Sequence, residues 1–205
     1  LTGSQVSEAG IERFREARPD VDIKYKSRDV PQSEVVWPRA RRYREGVVPP
    51  RLVHAEREIG EALAEIGASV SVEKGFIRKV ELVNKNVPPD LLSKLKRLRY
   101  LRHIDLRGSD ADDEALAALR FCACLQFVDL AGTLATDEGM KSVGRMRSLW
   151  ELNLRGTVLT DDGIARLSRL NLLGKLVLAD TNITGESLRL IPDDPFLSTL
   201  DVSGT

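Results

Sequence analysis

Reactive side chains are scarce in this chain. Of its 205 residues, two are histidine and two are cysteine. His54 and His103 lie in no motif with a nucleophile, and there is no glycine-rich phosphate loop and no metal-ligand spacing. The expectation is a protein that is not an enzyme and takes no cofactor and no metal. Cys122 and Cys124 form a C-x-C pair that neither histidine is placed to complete, and Cys122 falls on an inward-facing column as a small core residue. So few thiols build no disulfide framework and favour a reduced, cytoplasmic-type setting, without naming the compartment. Charge of one sign is also missing: 31 basic residues balance 31 acidic ones. That argues against wholesale nucleic-acid binding. No apolar run approaches the length of a membrane span. No signal-peptide pattern is read at the start, which is Leu1 rather than Met, so removal of one by processing or excision stays open.

Leucine, by contrast, is abundant and regular. From residue 77 to 205 it returns every 24 residues without slipping, at Ile77, Leu101, Leu125, Leu149, Leu173 and Leu197. A second column is Val80, Ile104, Val128, Leu152, Leu176, Leu200, and a third is Leu82, Leu106, Leu130, Leu154, Leu178, Val202. Ser109, Thr133, Thr157, Thr181 and Thr205 follow three places after the third column, with Lys85 as the exception in the first row. Fixed self-similarity at this period specifies a solenoid. The first half of each row alternates with period two, as a strand does. The second half carries Leu92, Leu116, Met140, Ile164, Leu188 and then Leu95, Leu119, Val143, Leu167, Ile191, spaced as a helix stripe. Each unit is therefore strand, turn, helix, turn, an α/β solenoid with strands on the concave side and helices on the convex side.

Two rows read Gly132-Thr133 with Thr136-Asp137-Glu138-Gly139-Met140, and Gly156-Thr157 with Thr160-Asp161-Asp162-Gly163-Ile164. This resembles the leucine-rich repeat family, in the bacterial flavour with "GT-x-hTDxGh" repeats, over roughly residues 54 to 205. The resemblance implies a binding scaffold and names no partner. The hydroxyl column is expected to bond backbone groups of the turn above or below. Asp112, Thr136, Thr160 and Thr184 read as helix N-caps, in preference to calcium ligands. Lys85 cannot accept such a bond, so the first turn should differ from the rest.

The remaining segments divide as follows. Residues 54–76 read as an N-terminal cap, a helix ended by Gly67 and a hairpin leading into Phe76–Leu82. Residues 26–53 form a Pro/Arg-rich linker. Its Trp37, Arg41, Arg42 and Tyr43 suit either a docking peptide or a strap whose aromatics pack on the solenoid, and the strap is preferred. Residues 1–25 match the back half of a repeat: Leu1 on the third column, Val6 inward, Ile11 and Phe14 on the helix stripe, then a short strand before Tyr25. The C-terminal row, with Leu197, Leu200 and Val202, stops before its helix. Three arrangements fit these complementary ends. They are cut edges of a longer chain with two arrays, which is the leading expectation; or they join head to tail between copies into a homo-oligomer; or the first segment folds back on its own C-terminal end.

On the concave face the residues between the inward leucines point outward. Phe127 stands out there, with Trp150 opening the next strand, among His103, Asp105, Arg107, Asp129, Glu151, Asn153, Arg155 and Lys175. Aromatics among charges have the makings of a protein-binding hot spot. The plain alternative is that Phe127 and Trp150 stack on each other or lie under the linker. The functional expectation is a non-catalytic interaction module with a protein partner, and a self-assembling building block is the alternative.

Overall fold

The computed structural model of the chain describes residues 8–19, 21–24, 50–191 and 196–205. Val6, Leu1 and the linker residues Trp37, Arg41, Arg42 and Tyr43 lie outside the described residues, so the docking-peptide and strap readings are not addressed.

Every leucine column becomes a buried column. The strands are β3 (Phe76–Glu81), β4 (His103–Asp105), β5 (Phe127–Asp129), β6 (Glu151–Asn153), β7 (Lys175–Val177) and β8 (Thr199–Asp201). They pair in parallel, in sequence order, and each register step is one repeat: Val80 faces Ile104, which faces Val128, then Leu152, Leu176 and Leu200. These side chains are almost wholly withdrawn from water, a burial that stabilises by roughly 1.5–3 kcal/mol each. The convex side carries α3 (Pro89–Leu95), α4 (Asp113–Leu119), α5 (Asp137–Val143), α6 (Asp161–Ala165) and a 3₁₀ turn over Ser187–Arg189, packed one on the next. Their stripe residues, from Leu92 and Leu95 to Leu188 and Ile191, close the core from that side. This is the leucine-rich repeat fold.

The turns refine two sequence expectations. The threonine hydroxyls donate within their own turn, Thr133 to the Leu130 carbonyl at 2.7 Å and Thr157 to Leu154 at 2.7 Å, rather than to a neighbouring one. The neighbouring turns are already joined through backbone, as in Gly108 N–H to the Ala131 carbonyl at 2.8 Å. Lys85 also keeps the backbone bond of the later rows, its N–H donating to Leu82 at 3.2 Å, so the first turn differs only in lacking the hydroxyl. The left-handed residue of that turn is Asn84 (φ 54), where later rows place Gly108 (φ 63), Gly132 (φ 65) and Gly156 (φ 66); asparagine is among the few side chains that tolerate this region.

At the first edge, α2 (Pro50–Glu65) begins inside the stretch read as linker, and β2 (Ser69–Glu73) pairs antiparallel with β3. Gly67 (φ 70) ends α2, and the buried Glu56 carboxylate accepts from Ile77 N–H at 2.7 Å. At the other edge lies the main departure. A helix α1 (Glu8–Ala17) and a strand β1 (Asp22–Lys24) continue the solenoid beyond β8, with Asp22, Ile23 and Lys24 parallel to Thr199, Leu200 and Asp201 of the same chain. Ile11, Phe14 and Val21 are buried there, as are Leu197, Leu200 and Val202. The folded-back arrangement is the one present, and neither cut edges nor a second copy is needed to cover the last row. Among the described residues the sheet has eight strands, in the order β1-β8-β7-β6-β5-β4-β3-β2.

Candidate functional site

The outward side chains of β3 to β6 form an open depression on the strand face. It is lined by Lys79, Glu81, His103, Asp105, Arg107, Phe127, Asp129, Glu151 and Asn153. Strand alternation puts these residues outward, and the 24-residue register puts His103 beside Phe127 and Asp105 beside Asp129. The two rings stack, with centroids 5.6 Å apart and planes 27° from parallel. Half-buried Phe127 is thus covered by His103, not by Trp150.

The surrounding charges are held in local pairs. Lys79 Nζ meets Glu81 at 2.6 Å, and Lys175 Nζ meets Glu151 at 2.6 Å. The Arg107 guanidinium forks onto Asp105, with Nη2 to Oδ2 at 2.7 Å and Nε to Oδ1 at 3.0 Å, and lies 3.6 Å from Asp129. Asp129 accepts from Ala131 N–H at 3.0 Å and from Asn153 Nδ2 at 3.1 Å. Arg155 turns away to Asp180 at 2.8 Å.

These surroundings shift the titrating groups in different directions. Burial raises the Asp105 carboxyl, but its bonds from Arg107 outweigh that and hold it below its usual range. Burial raises Asp129, and the neighbouring Asp105 charge adds to it, against the bonds from Ala131 and Asn153. Burial, then the Lys79 ammonium, lowers His103, so the imidazole is neutral at pH 7. A neutral ring stacked on Phe127 and rimmed by paired charges suits a partner's apolar or aromatic side chain with polar groups beside it.

Trp150 is not part of this depression. It lies on the rim where strands begin, against Gly174 and tilted toward Phe196 at 6.5 Å. A Cβ at position 174 would collide with the Trp150 ring, so the glycine makes the ring's seat. The pairing was readable as a tryptophan followed 24 residues later by glycine. Lys79 and Glu81, which complete the depression, were readable as members of the same outward columns. Cys122 is buried, its thiol donating to the Leu95 carbonyl at 3.2 Å and pushed up to about 12 by burial, so it is an inert core residue.

The acidic residues of the TDxG stretches have structural partners. Asp112, Thr136 and Thr160 cap their helices through their side chains. Thr184 receives the Glu186 N–H on its hydroxyl at 3.2 Å, although only a 3₁₀ turn follows. The carboxylates of Asp113, Asp137 and Asp161 each take the amide and the hydroxyl of the threonine in the next row, Thr136, Thr160 and Thr184.

No family model matches this chain, and no curated protein sequence matches it. Among solved structures it is similar to an internalin C2 from Listeria monocytogenes, at 20% identity and a TM-score of 0.44 over 53% of this chain and 45% of that one. It is similar to an internalin, inlF, from the same organism, at 11% identity and a TM-score of 0.34 over 60% and 47%. A third is the PEPR1–AtPEP1 structure, at 14% identity and a TM-score of 0.36 over 59% and 21%. The chain spans less than half the length of each of these.

Proposed function

We propose that this chain is a non-catalytic interaction module that binds a peptide segment of a protein partner on the open strand face, centred on His103 and Phe127. The observation that carries this reading is the half-buried aromatic stack in the middle of an otherwise polar face, inside a ring of charges already paired with each other. A central apolar anchor excluded from water by a polar surround is the usual layout of an interface hot spot. Asp105, Arg107, Asp129 and Asn153 supply fixed polar groups for register. Glu151 and Lys175 form the rim, where charge affects recognition more than affinity. The non-catalytic part rests on the same geometry: His103 stacks on a ring and faces charged groups rather than a nucleophile. Self-assembly through the ends has less support, because β1 occupies the edge of β8 that a second copy would need.

The test is selection of binders from a displayed peptide library on the immobilised chain. Enriched peptides are expected to lose roughly thirtyfold or more in affinity on Phe127→Ala, the scale of a hot-spot truncation, and to bind Val72→Ser, on the exposed face of β2, unchanged. Peptides indifferent to Phe127→Ala and to Asp129→Lys would overturn the assignment of the face.

A further inference from the structure

The zero net charge conceals a sharp segregation. Four seven-residue windows run from each convex helix end into the next strand: 96–102, 120–126, 144–150 and 168–174. Together they hold eight Lys or Arg and no Asp or Glu. The four windows at the opposite rim, 108–114, 132–138, 156–162 and 180–186, hold ten Asp or Glu and no Lys or Arg. Because every row has the same register, each set lines one long edge of the solenoid. Part of this follows from the helix dipoles, which favour anions at helix starts and cations at helix ends. The dipole explains the acidic edge well, since Asp113, Asp137 and Asp161 are also bonded to the next row. It does not account for the basic edge, because Arg99, Arg102 and Arg147 lie past the last helical turn, where the dipole has faded.

The basic edge is exposed and short of counter-charges. Lys96, Arg97, Arg99 and Arg102 are exposed in the first window, and among the described residues only Arg97 has a carboxylate within reach, Glu58 at 3.9 Å. Arg120, Arg145, Arg147 and Arg169 continue the exposed series with no carboxylate within 4 Å among the described residues. Aromatic rings stand between these cations. Phe121 is 53% exposed, with the Arg120 guanidinium 4.7 Å over its ring. Tyr100 packs on Phe76 at 4.3 Å, with Arg78 against both, and half-exposed Phe196 lies beside Trp150. Seven of the eight cations are arginine, whose planar fork fits phosphate oxygens and stacks on rings.

We infer that this strand-entry edge binds a single strand of nucleic acid, with the arginines following the phosphates and Phe121 offering a face for a base. A cationic track interleaved with stacking rings is the sequence-tolerant way to hold single strands. An acidic peptide would use the charge but leave the exposed rings without a role. The site is separate from the strand-face depression and shares no residue with it.

The probe is a fluorescein-labelled single-stranded oligonucleotide of about 20 residues, titrated with the whole chain and followed by anisotropy. Polyglutamate of matched charge and vesicles containing phosphatidylserine are run as competitors. Three to four phosphate contacts predict a log–log salt slope of about −2 to −3. The Arg99→Glu, Arg147→Glu double variant is expected to weaken binding at least tenfold, and Phe121→Ala roughly fivefold or more, with circular dichroism and melting unchanged. Replacing Arg39, Arg41 and Arg42 by alanine should leave most of the affinity. Displacement by polyglutamate or by the vesicles as readily as by unlabelled oligonucleotide would overturn the inference, as would binding that survives the double variant or is lost with the linker arginines. No binding at 50 mM salt would overturn it too.

Discussion

His103 shows how one position on a strand acquires its properties from its neighbours. Burial first and the Lys79 ammonium second hold its pKa below the ordinary value. In the unfolded chain the ring protonates near pH 6.5. As pH falls past that point the unfolded state takes up a proton that the folded site refuses. The stability this residue supports is therefore full above about pH 6.5 and declines as pH falls toward the folded midpoint. An NMR titration of the His103 ring should give a midpoint below 6.5. Lys79→Gln should raise the midpoint and still leave it below 6.5, because burial is the larger cause. A wild-type midpoint at or above 6.5 would mean that the ring is not stacked into the face as described. At this scale the sequence was informative about Phe127, since a large aromatic on an outward column needs a cover. It was misleading about the cover itself. Trp150 is close in sequence to that column, but its ring has a seat on the rim only because Gly174 lacks a side chain, and a pairwise seat of that kind leaves no periodic trace.

Among the repeating elements, the TDxG stretch does more than start helices. Thr160 caps its helix, gives its hydroxyl to Asp137 of the row before, and stands near Asp161, which serves the row after. Gly139 and Gly163 belong to the same device. A Cβ at 139 would sit 2.6 Å from Leu116 Cδ1 and against Asp113 Oδ1, so the glycine leaves the carboxylate its path across the seam. Helix propensity alone makes Gly→Ala favourable by about 1 kcal/mol. At Gly139 the collision should reverse the sign, with a loss of roughly 1–2 kcal/mol from overpacking. Gly60, in α2, is the counterpart: its added Cβ would meet only Ile77 Cδ1, at an ordinary 3.8 Å. Gly60→Ala should gain up to about 1 kcal/mol. Urea denaturation of the two variants checks the pair, and two changes of the same sign would refute the account of the seam. The leucine columns and caps were legible because burial and capping each demand a residue type at a fixed offset. The inter-row bond was not, because an acidic residue in the first helical turn is already explained by the dipole, and the sequence does not distinguish one use of the carboxylate from both.

For the whole molecule, the question left by the sequence was which chain the first half-repeat completes. Its match to a repeat was plain from Ile11 and Phe14. The identity of its neighbour is a matter of reach and topology, which periodicity does not encode. In the structure α1 and β1 close the array begun by the hairpin, so the sheet ends in β2 at one edge and β1 at the other. The seam under α1 differs from the seams before it. Where earlier rows place Asp113, Asp137 and Asp161 after the cap, the last row has Gly185, so no carboxylate from this row reaches toward α1. Gly10, Phe14, Gly185 and Leu188 instead line a gap between α1 and the 3₁₀ turn. The closing piece is thus held by strand pairing and by Ile11, Phe14 and Val21, without the carboxylate bond of the interior rows. Removing residues 1–25 should leave a folded array with the β8 edge and the apolar end of its row exposed, and an open parallel edge recruits other strands. Sedimentation over a wide concentration range should give a constant monomer mass for the full chain and a rising mass for the truncated one. If the full chain grows with concentration and truncation stops it, the half-repeat closes a neighbour rather than its own chain, and the covered end would then be a joint between copies.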